Sequence, residues 1–136
     1  MHTISIKTQS RCELIDITAK IQELLSKNSI SNNWKNGALV IFCPHTTCGL
    51  TINEGADPDV KHDMLTYFGG LVPYKGDYHH CEGNSDAHIK STIYGSSLLI
   101  IVNDSSLCLG TWQSVYFCES DGPRNRSIWV QWLKGE

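Results

Sequence analysis

Leu98-Leu99-Ile100-Ile101-Val102-Asn103-Asp104-Ser105-Ser106-Leu107-Cys108-Leu109 is the stretch on which the fold class turns. An aliphatic run rich in β-branched residues closes on Asn-Asp-Ser-Ser, and a second apolar run follows. That order reads as a β-hairpin. Beyond it, Gln113 to Glu119 and Ser127 to Leu133 read as further strands, so the C-terminal part is expected to form an antiparallel meander. Upstream, Thr3 to Thr8 alternates polar and apolar residues as a half-buried strand does. Ala38 to Cys43 is a continuous apolar run, expected as a buried strand that Pro44 interrupts. Gly49 to Asn53 supplies another.

Helical signals fall between these runs. Asp16 can cap a helix that places Ile17, Ile21, Leu24 and Leu25 on one face. Asp57-Pro58-Asp59 has the form of a helix start: a capping aspartate, proline at the first helical position and an acid in the first turn. Val60, Met64, Leu65 and Phe68 make its buried stripe, and Gly69-Gly70 is expected to end it. Ser85 can cap a short helix running through Ile89 and Ile93 to Gly95. With more strands than helices and no linker or repeat, the chain is expected to be one α+β domain over residues 1–136.

Composition excludes several classes of function. At 136 residues, 40% apolar and 18% charged, the chain has the make-up of a single globular domain. A formal charge of −3, with scattered basic residues, argues against nucleic-acid binding. No apolar run is long enough to span a bilayer, and the first residues lack a signal-peptide core, so a cytoplasmic location is expected. Six cysteines occur without a Cys-x-x-Cys pair. They are expected to be reduced, and Cys81 is read either as a ligand or as a bystander.

The chemistry concentrates in His80-Cys81-Glu82-Gly83-Asn84-Ser85-Asp86-Ala87-His88. Imidazole and carboxylate are the ligand types that hold zinc and related metals. His45-Thr46-Thr47, followed by Asn53-Glu54, repeats the theme. Convergence of His45, His80 and His88 would make a three-histidine metal site with an open position; the alternative is a neutral hydrogen-bonded cluster. Glu82, Asn84 and Asp86 could orient the rings, and Glu82 or Glu54 could serve as general base. Asp57 is explained as a cap, while Glu54 could instead be merely solvated. Trp112 and Gln113 stand at the mouth of a predicted strand, where the tryptophan could equally be a core residue. Arg124, after Asp121-Gly122-Pro123, can clamp an anion or brace its own turn.

With these residues assembled, the chain resembles the YjbQ-type family, many of whose members carry the label secondary thiamine-phosphate synthase. The resemblance rests on His45-Thr46-Thr47 through Asn53-Glu54, Ala56-Asp57-Pro58-Asp59-Val60 and His80-x-Glu82-Gly83-Asn84. It continues through Ala87-His88-Ile89-Lys90, Leu109-Gly110-Thr111-Trp112-Gln113 and Asp121-Gly122-Pro123-Arg124. It departs at Gly55, where the family's usual residue is asparagine. The resemblance implies sandwiched antiparallel sheets with two or three helices, a homotrimer, and a metal-capable pocket lined by His45, His80 and His88. The divalent ion expected is zinc, with magnesium as the other candidate. The implied reaction joins a pyrimidine diphosphate to a thiazole phosphate. For that reaction Arg124 and Lys90 would neutralise a phosphorylated substrate, and Asn53, Asn84, Trp112 and Gln113 would contact it. Three histidines suit zinc better than diphosphate–magnesium chemistry, so metal-assisted hydrolysis fits the ligand set at least as well. The competing expectation is a trimeric metal- or anion-binding protein without catalysis.

Overall fold

Runs of apolar side chains at period two become strands wherever one face can be buried, and here two such faces meet. The computed structural model describes Met1–Glu136. Its elements are β1 (His2–Lys7), β2 (Glu13–Asp16), α1 (Thr18–Asn32), β3 (Gly37–Phe42), β4 (Cys48–Glu54) and α2 (Pro58–Leu71). They continue with α3 (Ser85–Tyr94), β5 (Ser97–Asn103), β6 (Ser106–Leu107), β7 (Gln113–Glu119) and β8 (Asn125–Lys134). A five-stranded sheet of order β1-β8-β3-β5-β6 faces a three-stranded sheet of order β2-β7-β4, and every pairing is antiparallel.

Between the sheets lie Leu39, Ile41, Ile100, Ile128 and Val130 from one side and Leu50, Val115 and Phe117 from the other, all essentially inaccessible. Helix α1 adds Ile21 and Leu25 to this core. The far face of the small sheet is covered by helices: Leu14, Tyr116 and Cys118 pack against Met64 and Leu65 of α2 and Tyr94 of α3. Strand β7 is therefore buried on both faces, which explains its unbroken run from Val115 to Glu119. Close approach of α3 to β4 requires Gly49, because a Cβ there would sit 2.7 Å from Gly95 O and 2.8 Å from Tyr94 Cβ.

Several expectations need correcting. The last strands are not a meander: β5 and β6 form the expected hairpin, but β7 and β8 belong to different sheets. Asp104 and Ser105 take positive φ of 47° and 63°, as a tight right-twisting hairpin turn demands. Strand β2 went unread because four residues, Glu13 to Asp16, are too few to show a period. Helix α2 runs through Gly69-Gly70 to Leu71, and the N–H of Val72 bonds to Phe68 O. Asp57 does cap α2, accepting from Asp59 N at 2.9 Å. Asn84 rather than Ser85 stands at the start of α3. No helix is long and apolar enough to cross a membrane.

Candidate functional site

Asn84 O accepts from Ala87 N at 3.0 Å and His88 N at 3.3 Å, which fixes the first turn of α3 and carries His88 outward. The preceding loop folds back so that the His80 and His88 rings meet edge to face, 5.3 Å between centroids at 88°. They stand on the wall of an open cavity of about 390 Å³, lined also by Asp77, Tyr78, His79, Ser85 and Ile89. Glu82 Oε2 lies 3.8 Å from His80 Nε2, and both side chains are largely exposed.

Beneath this wall lies a buried ionic foundation that holds the loop and α3. Arg11 donates Nη1 and Nη2 to the two oxygens of Asp86 at 2.9 Å each, and Tyr74 lies over the same guanidinium at 3.7 Å. Burial pushes the Asp86 carboxyl up, but the Arg11 hydrogen bonds and charge outweigh it and hold the group below the usual carboxylate range. Asn84 Nδ2 donates to Asp121 Oδ2 at 3.0 Å, and Arg124 donates to the same oxygen at 3.0 Å. Arg124 thus braces its turn while leaving its face exposed. Asn84 Oδ1 is the one buried side-chain oxygen or nitrogen atom without a partner.

Next to it, Glu119 accepts from Arg126 Nε at 2.8 Å and Nη2 at 2.7 Å, and Arg126 Nη2 also donates to Thr47 Oγ1 at 2.8 Å. Sequence reasoning missed this trio and the Arg11–Asp86 pair. The available signal was two charged residues, Glu119 and Arg126, flanking the Asp121-Gly122-Pro123 turn in otherwise apolar runs.

The structure divides the other site candidates. His45 does not join His80 and His88: its Nε2 lies 3.1 Å from both Ser127 N and Ser127 O, in a half-buried position. No three His, Cys, Asp or Glu side chains are placed to hold a metal, and Cys81 is exposed with its thiol near His79 O. One chain therefore brings together the His80 and His88 imidazoles with the Glu82 carboxylate near His80, while His79 lines the same cavity without joining them as a third ligand. That set fits neither the three-ligand zinc site nor the carboxylate-rich magnesium site expected above.

Asn53, Glu54, Trp112 and Gln113 gather at the opposite end of β4 and β7, where Glu54 pairs with Gln113 while Cys48 pairs with Glu119. A seven-residue strand spans about 20 Å, so Glu54 is out of reach of the histidine wall in the same chain. These side chains serve their own turn: Asn53 Oδ1 accepts from Glu54 N at 2.7 Å and Gln113 Oε1 from Gly110 N at 2.8 Å. Gly55 is explained there as well, since a Cβ would collide with the Ser114 hydroxyl. Trp112 is exposed rather than a core residue. Lys90 is buried on the inner side of α3, away from the histidine cavity.

The family model described as "UPF0047 protein YjbQ-like" matches residues 2–135. The chain belongs to this family. Among YjbQ-like relatives, the UPF0047 protein YugU of Bacillus subtilis is 47% identical over 134 residues, covering 98% of each chain. A UPF0047 protein of Methanocaldococcus jannaschii is 49% identical over 126 residues, covering 93% of this chain and 88% of that one. The crystal structure of an uncharacterised YjbQ/UPF0047 protein from Clostridium acetobutylicum superposes with a TM-score of 0.91 at 46% identity, over 98% of this chain and 100% of that one. The YjbQ-like fold therefore includes the sandwich, the three helices and the placement of α3 on the small sheet.

Proposed function

We propose that the protein is a small-molecule enzyme whose chemistry is proton transfer by His80 and His88 in the cavity beside α3, with hydrolysis of a small substrate as the reaction class. The observation that carries this reading is the edge-to-face pair of imidazoles on an accessible cavity wall. Imidazole is the side chain best suited to proton transfer near neutral pH, and two together can act as acid and base. Glu82 is close enough to pair with a protonated His80. The thiamine-phosphate synthase reaction fits this wall less well. It must neutralise a departing diphosphate, yet Arg124 is engaged by Asp121 and Lys90 is buried elsewhere.

The functional unit we propose is a homotrimer in the cytoplasm. Phe42, Leu99, Ile101, Trp129 and Leu133 leave an exposed apolar face on the five-stranded sheet, of the kind that marks an interface. Six free cysteines suit a reducing compartment.

A second reading, a trimer that binds a metal or small anion without turnover, rests on the same two imidazoles serving as ligands rather than as acid and base. The test is a hydrolase substrate panel, together with the pyrimidine diphosphate and thiazole phosphate pair, on wild type, His80→Ala, His88→Ala and Glu82→Gln. Elemental analysis of each purified protein accompanies it. Turnover lost in both histidine variants, with the fold retained, supports the enzyme. Turnover that survives both substitutions sinks it, while bound metal without turnover in wild type favours the second reading.

A further inference from the structure

Behind the histidine wall, on the inner side of α3, lies a second and more enclosed cavity of about 110 Å³. Its walls are chemically divided. Leu65, Phe68 and Gly69 of α2 supply its apolar part, while Lys90 and Tyr94 of α3, with Cys12, Ser120 and the carboxylate Glu119, supply the rest.

Lys90 is the unusual member. Its side chain is only 7% exposed, and its ammonium has no oxygen or nitrogen acceptor within hydrogen-bonding distance. The nearest groups are Cys12 Sγ at 3.8 Å and Asp86 Oδ2 at 3.6 Å. Asp86 is already committed, since both of its oxygens accept from Arg11 at 2.9 Å. The other buried carboxylate beside the cavity, Glu119, is matched by Arg126 and takes further donors from Thr8, Ser120 N and Asp121 N. Three cations, Arg11, Lys90 and Arg126, therefore meet two carboxylates, Asp86 and Glu119, and Lys90 shares Asp86 with the partly exposed Arg11 at the longer distance. A buried ammonium with unused donors is costly unless an acceptor is supplied.

We propose that this cavity is a binding site for a small carboxylate of two or three carbons. Lys90 Nζ takes the carboxylate, the Ser120 and Tyr94 side chains stand within the same walls, and the alkyl end lies between Leu65 and Phe68. A cavity of about 110 Å³ suits a small acid such as acetate or propionate. A tetrahedral phosphate would press charged oxygens against the apolar wall, so the divided lining selects a carboxylate. The site is separate from the histidine cavity and does not depend on the reaction proposed there.

The experiment is an NMR and calorimetric titration of the full chain with acetate and propionate at constant ionic strength. Saturable binding of one equivalent per chain is expected, with intermolecular nuclear Overhauser effects from the ligand methyl to Leu65 and Phe68. Lys90→Met should weaken binding about tenfold or more, as loss of a charge-assisted hydrogen bond does, whereas His88→Ala should bind as wild type. If Lys90→Met fails to fold, the Overhauser contacts on wild type decide. Absence of saturable binding, contacts to Ile89 or His88 instead, or equal affinity in a folded Lys90→Met protein would each overturn the proposal.

Discussion

Arg126 of β8 and Glu119 of β7 join the two sheets through a two-pronged ion pair, Nε to Oε2 at 2.8 Å and Nη2 to Oε1 at 2.7 Å. Neither strand hydrogen-bonds to the other, so this pair is a polar cross-link between layers otherwise held by apolar contact. Thr47 and Thr8 complete its hydrogen bonding. Removing one partner leaves the other charged and buried. Arg126→Met should therefore cost about 3–5 kcal/mol, read as a lower urea midpoint with an unchanged slope. A loss within experimental scatter would show that the pair does not hold the sheets.

Acid should destabilise the protein through the same carboxylates. Burial raises the Glu119 carboxyl, but the Arg126 hydrogen bonds outweigh it, and Arg11 does the same for Asp86; both lie below the usual range in the folded state. Because the unfolded chain binds protons first, their contribution is complete above the ordinary carboxylate value of about 4. It is lost as pH falls from there through the lower folded values. Glu119→Gln and Asp86→Asn, though less stable at neutral pH, should show flatter acid limbs in denaturation curves. A limb as steep as wild type in both variants would refute this assignment.

His45 titrates in the same direction at milder pH. Burial first, and then the Arg126 charge, hold its ring below the ordinary histidine value, while its contact with Ser127 opposes them. The folded chain resists protonation there, so a further fraction of stability is present above about 6.5 and lost as pH drops below it. Ring-proton NMR should place the His45 midpoint below the ordinary histidine value. His45→Gln should remove the corresponding slope.

Gly49→Ala tests the seat of α3. The new methyl would meet the Gly95 carbonyl and the Tyr94 Cβ at 2.7 and 2.8 Å, and at least the former is backbone. A cost of about 1–3 kcal/mol is expected, with a His80–His88 cavity displaced along with the helix. Thermal melting measures the first effect, and chemical shifts of the two rings report the second.

Ile101→Asp addresses the exposed sheet face. Ile101 is 65% exposed and lies opposite Ala38 in the ladder, beside Leu99, so a lone chain should tolerate the charge within about 0.5 kcal/mol. In a trimer built on this face the substitution should dissociate the assembly. Sedimentation of wild type and variant at matched concentration separates the cases, and identical profiles would move the interface elsewhere.

Local pattern was enough for most elements, because their signals are local. The Asp57-Pro58-Asp59 start of α2, the Asn103–Ser106 hairpin and the buried run of β3 each depend on neighbouring residues alone. The His80–His88 segment was equally legible, since nine residues of loop and helix suffice to bring two rings together. What the sequence could not convey was which strand lies beside which. An apolar run looks the same whether it continues a meander or crosses to a second sheet, so the separation of β7 from β8 was invisible. That separation turns Glu119 and Arg126 into a cross-sheet clamp, sends His45 to Ser127, and puts Glu54 and Gln113 at the far end of a strand from the histidines. Chain order and residue type determined the elements and the side chains capable of chemistry. Only the packing of the two sheets, driven by burial of both faces of β7, decided which of those side chains share a site.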